Sequence, residues 1–215
     1  MEITLKNIIP IPLKENLGKR PSEVWHNEIG FKPTDRVKIK APSGTGKTTL
    51  VHYLYGLRSD YTGQLNWDGK QLKELHTDKV AAYRQKEISV VFQDLRLFPH
   101  LTARENIELN RVLQEPYYPG SVIEEMATAL QVDHILHQAA GICSYGEQQR
   151  IAIIRALVQP FSLLIMDEPF SHLDQNNTKK AAALIDRECQ KRKAGFVLTD
   201  LDEDSFFNYN TYLNL

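Results

Sequence analysis

Nine consecutive residues, Ala41-Pro42-Ser43-Gly44-Thr45-Gly46-Lys47-Thr48-Thr49, combine conformationally permissive positions with one lysine and adjacent hydroxyls. Glycines at 44 and 46 let the backbone curl so that successive N–H groups face a single anion. Lys47 can then reach the outer phosphates of a nucleoside triphosphate, and the Thr48 hydroxyl can ligate Mg²⁺. The strict pattern has glycine at its first position. If that position needs a positive φ, Ala41 costs about 1–2 kcal/mol. A second chemistry-bearing pair, Asp167-Glu168, closes the apolar run Leu163–Met166. Held near the first loop, Asp167 can orient a Mg²⁺ shell and Glu168 can polarise a water for attack on the terminal phosphate. Read separately, the loop could be a Gly/Thr turn that contains a lysine, and the carboxylates could cap a helix. Read together, they describe one site.

Such a site needs a scaffold that brings distant segments to one place. Arg36–Lys40 alternates polar and apolar residues at period two and predicts a strand, followed by the loop and a helix over Thr48–Leu57. Ile88–Phe92, Leu163–Met166 and Phe196–Thr199 predict three further buried strands, ending at Gln93, Asp167-Glu168 and Asp200. Polar groups at the carboxyl ends of apolar strands predict an open α/β sheet with its site along that edge. Between Leu97 and Leu157 the pattern is mostly helical. Helices are predicted over Glu105–Gln114 and Ser121–Leu130, with Pro116-Tyr117-Tyr118-Pro119-Gly120 breaking the chain between them. Ile151, Ile154 and Val158 predict an amphipathic helix capped near Ser144, and Gln175–Arg192 another helix stopped by Gly195. The expected organisation is one domain over 1–215. Its α/β core is 1–96 and 156–215, and the helical subdomain inserted into it is 97–155.

Composition narrows the partners. Lys plus Arg number 26 and Asp plus Glu 27, for a formal charge of −1, without the basic excess expected of a domain that lives on nucleic acid. Cys143 and Cys189 lie far apart and suit a reducing compartment. Met1–Lys19 has no apolar core of a secretory signal, and apolar runs such as Phe161–Met166 are far too short to span a bilayer. Any membrane role would therefore need another polypeptide. His52, His76, His100, His134 and His137 have no metal-ligand spacing and read as surface or loop residues, and Lys191-Arg192-Lys193 as a solvated helix end.

At this point the chain resembles the ATP-binding-cassette family over essentially its whole length. Ala41–Thr49 resembles the family's Walker A loop, and Leu163–Glu168 its Walker B strand with the adjacent catalytic glutamate. Gln93, in Val-Val-Phe-Gln-Asp, resembles the glutamine that senses Mg²⁺ and the γ-phosphate. Ser144-Tyr-Gly-Glu-Gln-Gln-Arg150 is similar to the signature, and Ser171-His-Leu-Asp174 to the D-loop. The stretch Arg84–Asn106 is similar to the lipoprotein-release, MacB-like and cell-division ATPases.

The resemblance implies a P-loop NTPase fold with a mostly parallel core sheet, an antiparallel part and a signature-bearing helical subdomain. It implies that Lys47, Gln93 and Glu168 serve hydrolysis and that Thr48, Gln93 and Asp167 hold Mg²⁺. ATP would lie between the 41–49 loop of one subunit and Ser144, Gly146 and Glu147 of another, in a head-to-tail homodimer or pseudo-dimer. It further implies a membrane permease partner and a place on the inner face of the cell membrane. Leu95, Leu97, Phe98 and Leu101 would then be either core or the groove that receives the permease. Three departures bear on this. Tyr145 stands where the signature has its first glycine, Asp200 follows Thr199 where the family has a histidine, and no aromatic lies in Ile9–Leu13 to stack adenine, leaving Trp25 as a stacking or a core residue. The alternative to a transporter ATPase is a soluble or degenerate cassette that binds ATP as a scaffold or regulator with little hydrolysis.

Overall fold

A computed structural model describes residues 1–15 and 21–215. In chain order the strands are β1 (Ile3–Pro10), β2 (Glu28–Phe31), β3 (Arg36–Lys40), β4 (Tyr61–Trp67), β5 (Lys70–Gln71), β6 (Ile88–Val91), β7 (Leu163–Asp167), β8 (Gly195–Asp200) and β9 (Thr211–Asn214). The α-helices are α1 (Lys47–Leu54), α2 (Thr77–Lys86), α3 (Ala103–Val112), α4 (Ser121–Ala129), α5 (Tyr145–Val158) and α6 (Gln175–Arg192).

The strands form two sheets of different character. One is antiparallel, in the order β2-β1-β4-β5. Its register shifts between Lys6 and Ile9, where Asn7 takes a φ of 51° and Gly63 opposite takes 87°. The other has the order β6-β7-β8-β3-β9 with every pair parallel. β7 is buried at every position, as a parallel strand covered on both faces must be. Its Leu163 and Ile165 join a core with Ile39, Tyr53, Trp25 and Trp67. Leu164 and Met166 join the opposite core with Ile107, Ile123, Ile154 and Phe196.

Several local expectations need correction. α1 ends at Leu54 rather than Leu57, because Gly56 turns the chain at φ 72° and the Leu57 N–H returns to the His52 carbonyl at 2.8 Å. α5 keeps a polar, partly exposed side only over its first half, where Tyr145 is exposed and Gly146, Glu147, Gln148 and Arg150 are half-buried. Every residue from Ile151 to Val158 is buried, and Ile151, Ile154 and Val158 mark only one of its covered faces. α6 is ended by Lys193 in the left-handed region (φ 53°), not by Gly195. Gly195 lies inside β8, where an added Cβ would sit 2.6 Å from the Asp35 carbonyl. Lys191-Arg192-Lys193 is not simply solvated: the Arg192 side chain is 3 % exposed, donates to the Gln159 and Leu157 carbonyls and covers the Tyr117 ring at 4.4 Å.

Candidate nucleotide-binding site

The parallel sheet places four loops along one edge. β3 runs into residues 41–46, β6 into Gln93, β7 into Glu168, and β8 ends beside the first of these. The anchor is backbone: the Ala41 N–H donates to the Asp200 carbonyl at 2.8 Å, and the Glu168 N–H to the Thr199 carbonyl at 2.9 Å.

Within the 41–49 loop, positive φ occurs at Gly44 (81°) and Gly46 (102°). Ala41 has no positive φ, so alanine carries no backbone penalty there and the cost considered from sequence does not arise. An added Cβ at Gly46 would also crowd the Trp25 ring at 3.3 Å and push the tip of the Leu13 side chain aside, but the left-handed φ is what calls for glycine there. Thr45 folds its hydroxyl onto the Pro42 carbonyl at 2.8 Å. Trp25 is core rather than a stacking surface. It is 2 % exposed, donates from Nε1 to the Thr45 carbonyl at 3.1 Å and props the loop from within.

Lys47 is buried and already occupied: its Nζ donates to the Ala41 carbonyl at 3.0 Å and pairs with Glu168 Oε1 at 2.7 Å. Glu168 itself sits at φ 46°, a left-handed conformation uncommon for a residue with a side chain. Thr48 Oγ1 donates to Asp167 Oδ2 at 2.9 Å and lies 3.4 Å from Gln93 Oε1. Three oxygen donors thus converge from three elements, the hard donor set that suits Mg²⁺. Burial pushes the Asp167 carboxyl up, opposed by hydrogen bonds from Thr199 and Thr48. Among the described residues, no group of three or more His, Cys, Asp or Glu side chains is placed to hold a metal.

Ser144, Gly146 and Glu147 lie at the N-terminus of α5. Ser144 is the N-cap, with its hydroxyl accepting from the Glu147 N–H at 3.4 Å while Glu147 Oε2 accepts from the Ser144 N–H and hydroxyl at 2.8 Å. These bonds hold the Glu147 carboxyl below the usual range. The carboxylate is acceptor-only and the Glu147 N–H is turned to the Ser144 hydroxyl, so an anion reaching this helix end would have to draw that N–H out of the capping box. Tyr145 is accommodated by resting on His172, ring centroids 4.1 Å apart, and it lines one cleft with Thr48, Gln93 and Asp167 of its own chain. Of the apolar group after Gln93, Leu95 is buried and Leu97 packs on the core, Leu101 is half-buried, and Phe98 is 58 % exposed.

Sequence reasoning missed three residues that hold this geometry. Gln149 is 1 % exposed and joins α5 to the loop between β7 and α6 at two points, donating to the Glu168 carbonyl at 3.1 Å and accepting from the His172 N–H at 3.0 Å. Arg155 donates to the carbonyls of Leu95 and Arg96, consecutive non-glycine residues at φ 57° and 49°. Thr199 donates to Asp167 Oδ1 at 2.8 Å. A polar residue inside the apolar run Ile151–Val158 was the available signal for Arg155.

The ABC transporter family model matches residues 27–171. The glucose import ATP-binding protein GlcV of Saccharolobus solfataricus is 37 % identical over 76 % of this chain and 46 % of GlcV. The macrolide export ATP-binding/permease protein MacB of Bdellovibrio bacteriovorus is 31 % identical over 70 % of this chain and 23 % of MacB. The chain thus spans less than half the length of these two curated relatives. Among solved structures, the dimeric post-hydrolysis state of the ATP-binding cassette MJ0796 bound to ADP and Pi superposes with a TM-score of 0.77 at 25 % identity, covering 93 % of this chain and 88 % of that one. On the motif geometry and these matches, the chain belongs to the ABC transporter family.

Proposed function

We propose that the chain is an ATP-hydrolysing subunit that works as a head-to-tail dimer and couples Mg-ATP binding and hydrolysis to a separate membrane permease. The convergence of Lys47, Thr48, Gln93, Asp167 and Glu168 at one sheet edge carries this reading. The N–H groups of Ser43, Gly44, Thr45 and Gly46, with those at the start of α1 through Thr49, cradle the β- and γ-phosphates beside Pro42, the positive end of the helix adds to the attraction, and Ala41, its N–H held by the Asp200 carbonyl, fixes where the loop begins. Thr48, Gln93 and Asp167 would hold Mg²⁺, and its charge would offset that of the phosphates. Lys47 moves from Glu168 onto the phosphates, and the freed Glu168 accepts a proton from the attacking water.

One chain offers only half of the donors. Ser144 and the N–H groups of Gly146 and Glu147 open α5 toward solvent, and a facing copy would bring them to the γ-phosphate. The dimeric state described for MJ0796 supports that arrangement. GlcV and MacB are named as import and export proteins, which supports a permease partner and a place on the cytoplasmic side of a membrane. Among the described residues, no helix is long and apolar enough to cross a membrane. We assign the 97–155 stretch the role of signature-bearing subdomain, with exposed Phe98 on its permease-facing side.

A second reading, an ATP-gated scaffold with little turnover, is favoured by Tyr145 standing in the cleft beside Thr48 and Gln93. Phosphate release by the purified protein and by Glu168→Gln separates the two. The ATPase reading expects the variant to lose at least about tenfold in rate. Equal background rates would leave the scaffold.

A further inference from the structure

A buried cation lies behind the site. Lys38, in the middle of β3 between Leu198 of β8 and Tyr212 of β9, is 1 % exposed. A charge so enclosed must be neutralised by fixed partners. Its ammonium pairs with Asp204, stands 3.5 Å from Asp200 Oδ2, and lies 5.8 Å from the centroid of the Tyr209 ring. Asp204 in turn accepts the Tyr209 hydroxyl, at 2.8 and 2.9 Å to its two oxygens.

The two carboxylates have different places. Asp204 is the more enclosed, with a side chain 10 % exposed, and ties the stretch between β8 and β9 to β3. Asp200 is 26 % exposed and borders the phosphate loop, since its carbonyl accepts the Ala41 N–H. Burial pushes the Asp200 carboxyl up, Lys38 draws it down, and the charge of Glu168 pushes it up again. Asp200 is thus within electrostatic reach of the Lys47–Glu168 pair.

We propose that Lys38 is a positioning residue for the nucleotide site: its buried ammonium holds and neutralises the Asp200 carboxylate beside the phosphate loop, and Asp204 with Tyr209 anchors that ammonium. The inference rests on reading residues 41–49 as a triphosphate site. A triphosphate brings several negative charges to a loop whose first residue is bonded to Asp200. An uncompensated carboxylate there would repel it, and the low dielectric of the surroundings would strengthen the repulsion.

Mg-ATP affinity and thermal midpoint, measured on the same purified variants, test the division of labour. Lys38→Met should weaken Mg-ATP binding about tenfold and lower the midpoint. Adding Asp200→Asn should return affinity to within about twofold of the parent while the midpoint stays low, because Asp204 is still buried without its partner. Adding Asp204→Asn instead should recover the midpoint and leave affinity weak. If Lys38→Met alone does not fold, Lys38→Met/Asp204→Asn carries the test, since cation and enclosed counter-ion leave together. Parental affinity in the Lys38 variants would overturn the proposal, as would recovery of affinity with Asp204→Asn but not with Asp200→Asn. The triphosphate reading has its own control: absence of Mg-ATP binding by the parent, or parental binding by Lys47→Ala, sinks that reading and this inference with it.

Discussion

Lys47 and Glu168 neutralise each other across 2.7 Å, so a nucleotide must compete with Glu168 for the lysine it needs. Replacing the carboxylate by an amide weakens the competitor without changing its shape. Glu168→Gln is therefore predicted to bind Mg-ATP about three- to tenfold more tightly than the parent while losing turnover, as measured by equilibrium titration. Looser binding would mean that Glu168 orders Lys47 rather than withholding it. Asp167 tells a related story. Burial pushes its carboxyl up, which means that the folded chain bears an uncomfortable charge where a cation is to be held. Asp167→Asn should raise the stability of the nucleotide-free protein by about 1 kcal/mol in thermal denaturation and remove the stabilisation given by Mg-ATP. These residues were legible in the sequence because each motif carries its own chemistry. The Lys47–Glu168 contact was not, because no local pattern says which groups meet across 120 intervening positions.

At the scale of elements, α5 links the two faces of the account. It starts at the Ser144 cap, touches the Glu168 carbonyl through Gln149 and ends by holding the loop after Gln93 through Arg155. Arg155 makes its hydrogen bonds to carbonyls that belong to two consecutive left-handed residues, Leu95 and Arg96, whose backbone has little reason to stay there unaided. Arg155→Met is predicted to cost about 2–4 kcal/mol of stability and to weaken Mg-ATP binding through Gln93, both measurable in one ligand-dependent melting series. Lysine at this position should not restore either, since a single ammonium cannot span both carbonyls. Four of the five parallel strands and every α-helix but α2 were readable from their patterns, and α6 from Gln175 to Arg192 lies where its pattern puts it, whereas β1, β2, β4, β5, β9 and α2 were not read. What periodicity misjudged was environment. Ile151, Ile154 and Val158 suggest one apolar face, but from Ile151 on the helix is enclosed by its neighbours, which include α3, α4, α6 and β6, and has no solvent face to keep polar. The C-terminal stop of α6 was misplaced for a similar reason, since Gly195 serves the close approach of Asp35 within the sheet rather than the turn before it.

At the scale of the whole molecule, the two cores on either side of the parallel sheet share β7 and β8, so opening one exposes the other. Cys189, in the helical-side core, reports on this: burial pushes its thiol up to about 12. Labelling of Cys189 by iodoacetamide at neutral pH should proceed only at the rate of global unfolding, and saturating Mg-ATP should slow it further. Rapid labelling of the native protein would show that the helical side opens on its own. The Ser144 end of α5 faces outward with donors that its own loop at 41–49 does not use, as half of a composite site would. Sedimentation velocity of Glu168→Gln with and without Mg-ATP tests that composite site most directly. The account predicts a monomer without nucleotide, a shift to twice the mass with Mg-ATP, and loss of that shift in Glu168→Gln/Lys47→Ala. Saturated nucleotide binding by a species that keeps the monomer mass would contradict it.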